Sequence, residues 1–173
     1  MILKTKQFVL RHAKLSDAGA FFECEQDERA REGFMSTPKN VNEVRRSIIE
    51  QLKEDKKKKP SSEKFAIEIN GETAGWVHLH DLNQEYAEHK GIIGFCLHKK
   101  FRGHGIMSKA VSIVTDYAFK KYKLKRLIGV CRTFNKASAR TMEKAGYKLE
   151  GIMRKNKFKD GKYLDDMIWA VVR

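Results

Sequence analysis

The 173-residue sequence contains no stretch approaching the roughly 20 apolar residues that a helix needs to cross a bilayer, so a helical membrane anchor is not expected. The opening Met1 to Lys6 is too short and too soon charged to act as a signal peptide, which leads to the expectation of a cytoplasmic protein. Cysteine is scarce. Cys24, Cys96 and Cys131 are odd in number and show no Cys-x-x-Cys spacing, so neither a disulfide framework nor a thiolate zinc site is expected, and no metal is assigned. Also missing are the Gly-x-Gly-x-x-Gly of dinucleotide folds and the Gly-Lys-Ser/Thr of a P-loop. There is no internal repeat and no compositional break. With 41% hydrophobic residues and a length near the commonest domain size, one domain spanning residues 1–173 is expected.

What the chain has in excess is positive charge, a formal net +14. Such a balance favours anionic partners: nucleic acid, ribosomes, acidic proteins or a phosphate-rich cofactor. Part of it lies in Lys53 to Lys59, directly before Pro60-Ser61-Ser62. A like-charge run beside Pro and Ser reads as a solvated loop ahead of a dedicated nucleic-acid site.

Along the chain, Phe8 to Arg11 reads as a short strand, and Ser16-Asp17 as the N-cap of a helix carrying Ala20, Phe21 and Cys24. Asn40 and Glu43 have capping-box spacing, and Val41, Val44, Ile48 and Leu52 follow at helical spacing. Phe65, Ile67 and Ile69 alternate up to Asn70-Gly71, a strong hairpin signal, after which Trp76 to Leu79 resumes as a strand. The run Ile92 to Leu97 is almost continuously apolar, as a strand covered on both faces is. Ile106, Ala110, Val114 and Ala118 mark a helix, and Arg126 to Cys131 a strand. Asn135 caps and Gly146 ends a late helix, and two strands around Tyr147 to Met153 and Tyr163 to Val172 meet at Asp160-Gly161. This order requires an α/β (α+β) fold with a mixed central sheet of about seven strands flanked by about four helices.

Arg102-Gly103-His104-Gly105-Ile106-Met107 lies between the buried strand and the amphipathic helix. Exposed backbone N–H groups and the positive end of a helix dipole converge on an anion at such a junction. The loop resembles the Arg/Gln-x-x-Gly-x-Gly/Ala signature of the GCN5-related N-acetyltransferases, with Met107 where Gly or Ala is usual. The resemblance runs over most of the chain, above all to the RimJ/RimL-type branch that acetylates ribosomal-protein N-termini. It is carried by Phe8 to Arg11, Gly75 to Leu79, Ile93 to Leu97, Asn135 to Arg140, Glu143 to Tyr147, Leu149 to Ile152 and Asp160 to Tyr163.

The resemblance implies a single-domain fold with splayed central parallel strands, and direct acetyl transfer from acetyl-CoA to an amine within a ternary complex. It implies that backbone groups of Phe95, Cys96 and Leu97 pair with the pantetheine arm and that Arg102, Gly103, His104, Gly105, Ile106 and Met107 hold the pyrophosphate. Asn135 bonds the cofactor arm, or else serves purely as a helix cap. Ser138 stands near the sulfur as a catalytic hydroxyl for the departing thiolate.

Relatives often place Tyr seven residues after the Asn, which is Met142 here, and carboxylates at positions that are Ile92 and Lys157 here. Glu85 and Glu88, acting through water, are then the candidate bases. His78 and His80 share a strand face and read first as ordinary strand histidines. An α-amine with a pKa of about 7.7–8.0 is already roughly 10–20% neutral at pH 7, whereas a lysine amine is neutral about once in 2,500. A weak base therefore favours a protein N-terminus as acceptor. The implied partners are acetyl-CoA, that amine, a ribosome and a second copy of the chain. The alternatives are a polyamine or aminoglycoside acetyltransferase, and a ribosome- or RNA-associated binding module that keeps the fold.

Overall fold

The computed structural model describes residues 2–173. Its strands are β1 (Ile2–Lys4), β2 (Val9–His12), β3 (Glu63–Ile69), β4 (Glu72–His80), β5 (Lys90–Leu97), β6 (Arg126–Arg132), β7 (Lys148–Lys159) and β8 (Lys162–Val172). The helices are α1 (Ala18–Gln26), α2 (Glu28–Gly33), α3 (Val41–Glu54), α4 (Ile106–Tyr122) and α5 (Lys136–Lys144). All eight strands form one mostly antiparallel sheet in the order β1-β2-β3-β4-β5-β6-β8-β7. The sheet thus has one strand more than sequence reading gives, and α2 is a fifth helix.

Local chemistry accounts for the turns. Asn70 and Gly71 have φ of 50° and 82°, and Asp160 and Gly161 have φ of 48° and 75°. Both pairs occupy the left-handed region that tight hairpins demand and that Asn, Asp and Gly tolerate best. Helix α3 begins as its sequence predicts, with the Asn40 Oδ1 accepting the Glu43 N–H at 3.1 Å. Its inner face differs from the pattern. Leu52 is 36% exposed, and the inward position belongs to Gln51, whose amide donates to Asp55 Oδ1 and Ser62 O and so anchors the lysine loop. Asp17 precedes α1 without capping it. Its carboxylate accepts from Arg11, Thr73 and the Lys14 N–H, tying the helix start to β2 and β4.

Alternating strand residues divide the interior between the two sheet faces. One layer packs Phe65, Val77, Leu79, Ile93 and Leu127 against Ala110, Val111, Val114 and Ala118 of α4. The other packs Ala66, Trp76 and Cys96 under Phe21, Cys24, Val44 and Ile48 of α1 and α3.

The sheet opens in its middle. β5 pairs antiparallel with β4 from Ile92 to Leu97, but runs parallel to β6 only from Lys90 to Ile92. β6 meanwhile stays paired with β8 as far as Arg132. Past Ile92 and Ile128 the two parallel strands diverge, and the β6-facing edge of Ile93 to Leu97 has no ladder partner. Gly75 holds the other edge close, since a Cβ there would lie 2.3 Å from the Cys96 carbonyl oxygen.

Candidate active site

A cavity of about 430 Å³ fills this divergence. Phe95, Cys96 and Leu97 line one side and Val130, Cys131 and Arg132 the other, with Ala30, Gly33 and Phe34 of the α2 segment and Ser138, Thr141 and Met142 of α5 closing the ends. Leu97 and Cys131 belong to the core beneath α4, whereas Cys96 belongs to the core beneath α1. The cavity therefore passes through the sheet and offers one mouth on each face. Two reactants can meet in it from opposite sides.

The α4 mouth is built largely of backbone. Gly103 and Gly105 have φ of 89° and 71°, and Gly105 is the N-cap of the 17-residue α4. That conformation turns the loop onto the helix start, where unpaired N–H groups and the dipole make an anion site. Arg102, Gly103, Gly105, Ile106 and Met107 all line the cavity. Met107 is buried in the core, so the departure from a small residue does not crowd the loop mouth. His104 is exposed and stands outside the lining.

The Arg102 side chain is committed elsewhere. Its Nε donates to Leu97 O at 2.9 Å and its Nη1 pairs with Asp27 Oδ1 at 2.9 Å, stapling the α1–α2 junction to the end of β5. Burial alone would raise the Asp27 carboxyl, but the Arg102 contact together with the Arg29 and Ala30 N–H groups holds it below the usual carboxylate range. Cationic side chains facing the cavity also include Arg140 and Lys144, one turn apart on α5.

Asn135 does cap α5, its Oδ1 accepting the Ser138 N–H at 3.1 Å. The Nδ2 lies against Gly33, where a Cβ would come within 3.3 Å of it, so this one side chain spans from α5 to α2. Ser138 lines the cavity beside the Cys131 thiol, which burial keeps protonated. Cys96 donates its S–H to the Cys24 carbonyl at 3.3 Å, and this bond, with burial, pushes its thiol well up, away from nucleophilic use. Met142 is 1% exposed and lies over Gly129, where a Cβ would fall 2.0 Å from its Cε.

Glu85 and Glu88 are not brought to the cavity. Both are exposed in the loop before Lys90, at the opposite end of β5 from Leu97, roughly 20 Å along the strand. His78 and His80 share the α1 face of β4, with ring centroids 5.3 Å apart. Burial, then the charge of Lys64, pulls the His78 imidazole down to about 3, so it is neutral near pH 7. Among the described residues no group of three or more His, Cys, Asp or Glu side chains is placed to hold a metal.

Several residues at the α1 mouth carry no sequence signal. Arg132 and Asp166 form a buried ion pair between β6 and β8. Phe34 stacks on Trp76 at 5.9 Å between ring centroids, and beside Trp76 lie Glu25 and Lys64. Lys159 donates from the β7–β8 hairpin to the Arg31 and Phe34 carbonyls, latching that hairpin over the end of α2. Each contact joins residues far apart in the chain, which is why periodicity and motif spacing are blind to them.

Comparison with known proteins agrees with this geometry. The acetyltransferase (GNAT) domain family matches residues 7–148. The uncharacterized N-acetyltransferase YnaD of Bacillus subtilis is 25% identical over 99% of this chain and 97% of its own length. The probable N-acetyltransferase YjcK of the same organism is 42% identical over 46% of this chain and 44% of its own length. The Escherichia coli spermidine N(1)-acetyltransferase is 29% identical over 60% and 54%. Among solved structures, RimL, described as a ribosomal L7/L12 α-N-protein acetyltransferase in complex with coenzyme A, superposes with a TM-score of 0.83 at 22% identity, covering 99% of this chain and 98% of that one. The ribosomal-protein-S5-alanine acetyltransferase of Vibrio fischeri gives 0.86 at 19% identity, covering 99% and 96%. No helix among the described residues is long and apolar enough to cross a membrane. The family match takes in both diverging strands, the glycine loop and the whole of α4 and α5, and on it the chain belongs to the GNAT acetyltransferase family and is an N-acetyltransferase.

Proposed function

We propose that the protein transfers the acetyl group of acetyl-CoA directly to the α-amine of a peptide or protein N-terminus. One observation carries the choice of acceptor: the cavity is lined by Arg29, Arg102, Arg132, Arg140 and Lys144 and by no Asp or Glu. Asp27 and Asp166 lie behind the lining and are paired with Arg102 and Arg132. A polyamine or aminoglycoside, itself a polycation, is repelled by such a wall, whereas an anionic cofactor and a neutral or acidic peptide are not.

The missing carboxylate points the same way. A general base is worth about 10²–10⁴ in rate, and an α-amine near pKa 8 needs that help far less than a lysine or polyamine amine does. In this reading the free edge of Phe95 to Leu97 holds the pantetheine arm, and the backbone from Gly103 to Met107 holds the pyrophosphate. The Nδ2 of Asn135 orients the arm from the α2 side. Ser138 gives a proton or hydrogen bond to the departing thiolate. RimL, described as a ribosomal L7/L12 α-N-protein acetyltransferase, and the ribosomal-protein-S5-alanine acetyltransferase support a ribosomal protein as the target.

An acceptor panel tests this. Thiol release is measured with peptides of varied N-terminus, spermidine and an aminoglycoside. Turnover on the peptides at ten times or more the polyamine rate is expected. Faster turnover on spermidine overturns the reading, and acetyl-CoA binding without turnover on any amine favours a binding module.

A further inference from the structure

The ion pair at the α1 mouth has more donor capacity than its partner uses. Arg132 closes β6 and lines the cavity, yet its side chain is only 6% exposed. One guanidinium nitrogen, Nη1, binds Asp166, itself fully buried and also holding the Asn156 amide at 2.8 Å. The Arg132 Nε is buried and has no partner among the described residues. The Nε is closed off from the cavity, and the bond of this guanidinium to Asp166 uses only Nη1, which leaves Nη2 as the donor free to meet a ligand there.

The surroundings specify what fits. Val130, which lines the cavity, and Arg132 lie on the face opposite Leu127 and Cys131, whose side chains belong to the α4 core. Arg132 therefore stands on the proposed acceptor side, in a cavity that Gly33 and Phe34 also line. A planar fork pinned by a carboxylate at one nitrogen offers its remaining N–H groups to a neutral oxygen in a fixed direction. Polyamines carry no such oxygen. Every peptide carries one in its first carbonyl, separated from the α-amine nitrogen by two carbon atoms.

We propose that Arg132, held by Asp166, is the acceptor-binding residue that hydrogen-bonds the first carbonyl oxygen of the incoming peptide and so positions its α-amine in the cavity. The inference rests on the peptide-acceptor reading and adds the atom that is read. It makes the chain selective for α-amino carbonyl compounds over plain amines of equal basicity.

The test uses two matched tripeptides, one with an ordinary first amide and one with a thioamide there. Sulfur keeps the shape but accepts hydrogen bonds poorly. The wild-type kcat/KM ratio between them is expected to be about tenfold in favour of oxygen. Arg132→Lys keeps the charge beside Asp166 but loses the fork, and its ratio is expected to fall towards one with the thermal midpoint little changed. A paired Arg132→Met and Asp166→Leu variant, which removes both buried charges, is expected to show the same loss of discrimination, mainly in KM. An undiminished ratio in these variants overturns the proposal while leaving the peptide reading intact. Failure of the wild type to acetylate either peptide removes the peptide reading itself, and this proposal with it.

Discussion

The two mouths of the cavity are made of different materials. On the α4 side the wall is backbone: an unladdered strand edge at Ile93 to Leu97 and a glycine loop that runs directly into a helix start, all within one stretch from β5 to α4. On the α1 side it is side chains brought together from afar, Arg132 with Asp166, Phe34 with Trp76, and Lys159 with the Arg31 and Phe34 carbonyls. A backbone wall recognises a constant ligand and tolerates change in the residues that form it. A side-chain wall can be re-cut for a new acceptor by a few substitutions, each of which disturbs a buried pair.

The largest effect that can break this comparison comes from the α1 wall, the proposed acceptor side. Asp166→Ala strands the Arg132 charge in a buried site and is expected to cost about 3–5 kcal/mol, read from the denaturant midpoint. If it costs less than 1 kcal/mol, the pair is not a buried element of that wall. Ser138→Ala tests the proposed hydroxyl donor between the walls. It is expected to lower kcat about 100-fold with little change in the KM for either substrate, measured by steady-state thiol release. An unchanged kcat would show that the thiolate leaves unaided.

On the α4 wall, the proposed cofactor side, Gly105→Val forces a branched side chain into a left-handed conformation and is expected to raise the KM for acetyl-CoA roughly tenfold while sparing the KM for peptide. A matching rise in both would mean that the two mouths are not independent. Away from both walls, the remaining expected effect is a slope of stability with pH. His78 is depressed to about 3 in the fold, below its ordinary 6.5, so the unfolded chain binds the extra proton first. Its contribution is complete above about pH 6.5 and is lost as pH falls towards 3, at no more than about 1.4 kcal/mol per pH unit, less for its residual exposure. His78→Gln is expected to flatten that slope in pH-dependent unfolding.

How much of this was readable in advance follows the same division. The Asn70-Gly71 and Asp160-Gly161 turns, the apolar run of β5 and the stripe of α4 each follow from a local preference strong enough to survive folding. Helix α2 has the sequence Glu-Arg-Ala-Arg-Glu-Gly, with no apolar period. It forms where Asp27 is stapled by Arg102 and Ala30 is buried, both tertiary facts. β7 runs to Lys159 through an irregularity between Met153 and Lys157, where the Lys155 N–H bonds Asp165 at 2.7 Å, a partner ten residues away. Glu85 and Glu88 sit in a polar stretch next to the β5 strand, but proximity in sequence to a strand does not say which end of it they meet.

Met142 occupies space that exists only because Gly129 has no side chain. The two positions therefore behave as a single unit of variation, thirteen residues apart in the chain. A lineage that first gained a side chain at 129 would lose the room for any large residue at 142. One that kept the glycine could trade the thioether for a phenol by one residue change and place a hydroxyl one turn from Ser138. The absent Cβ thus preserves an evolutionary option that the present chain does not exercise.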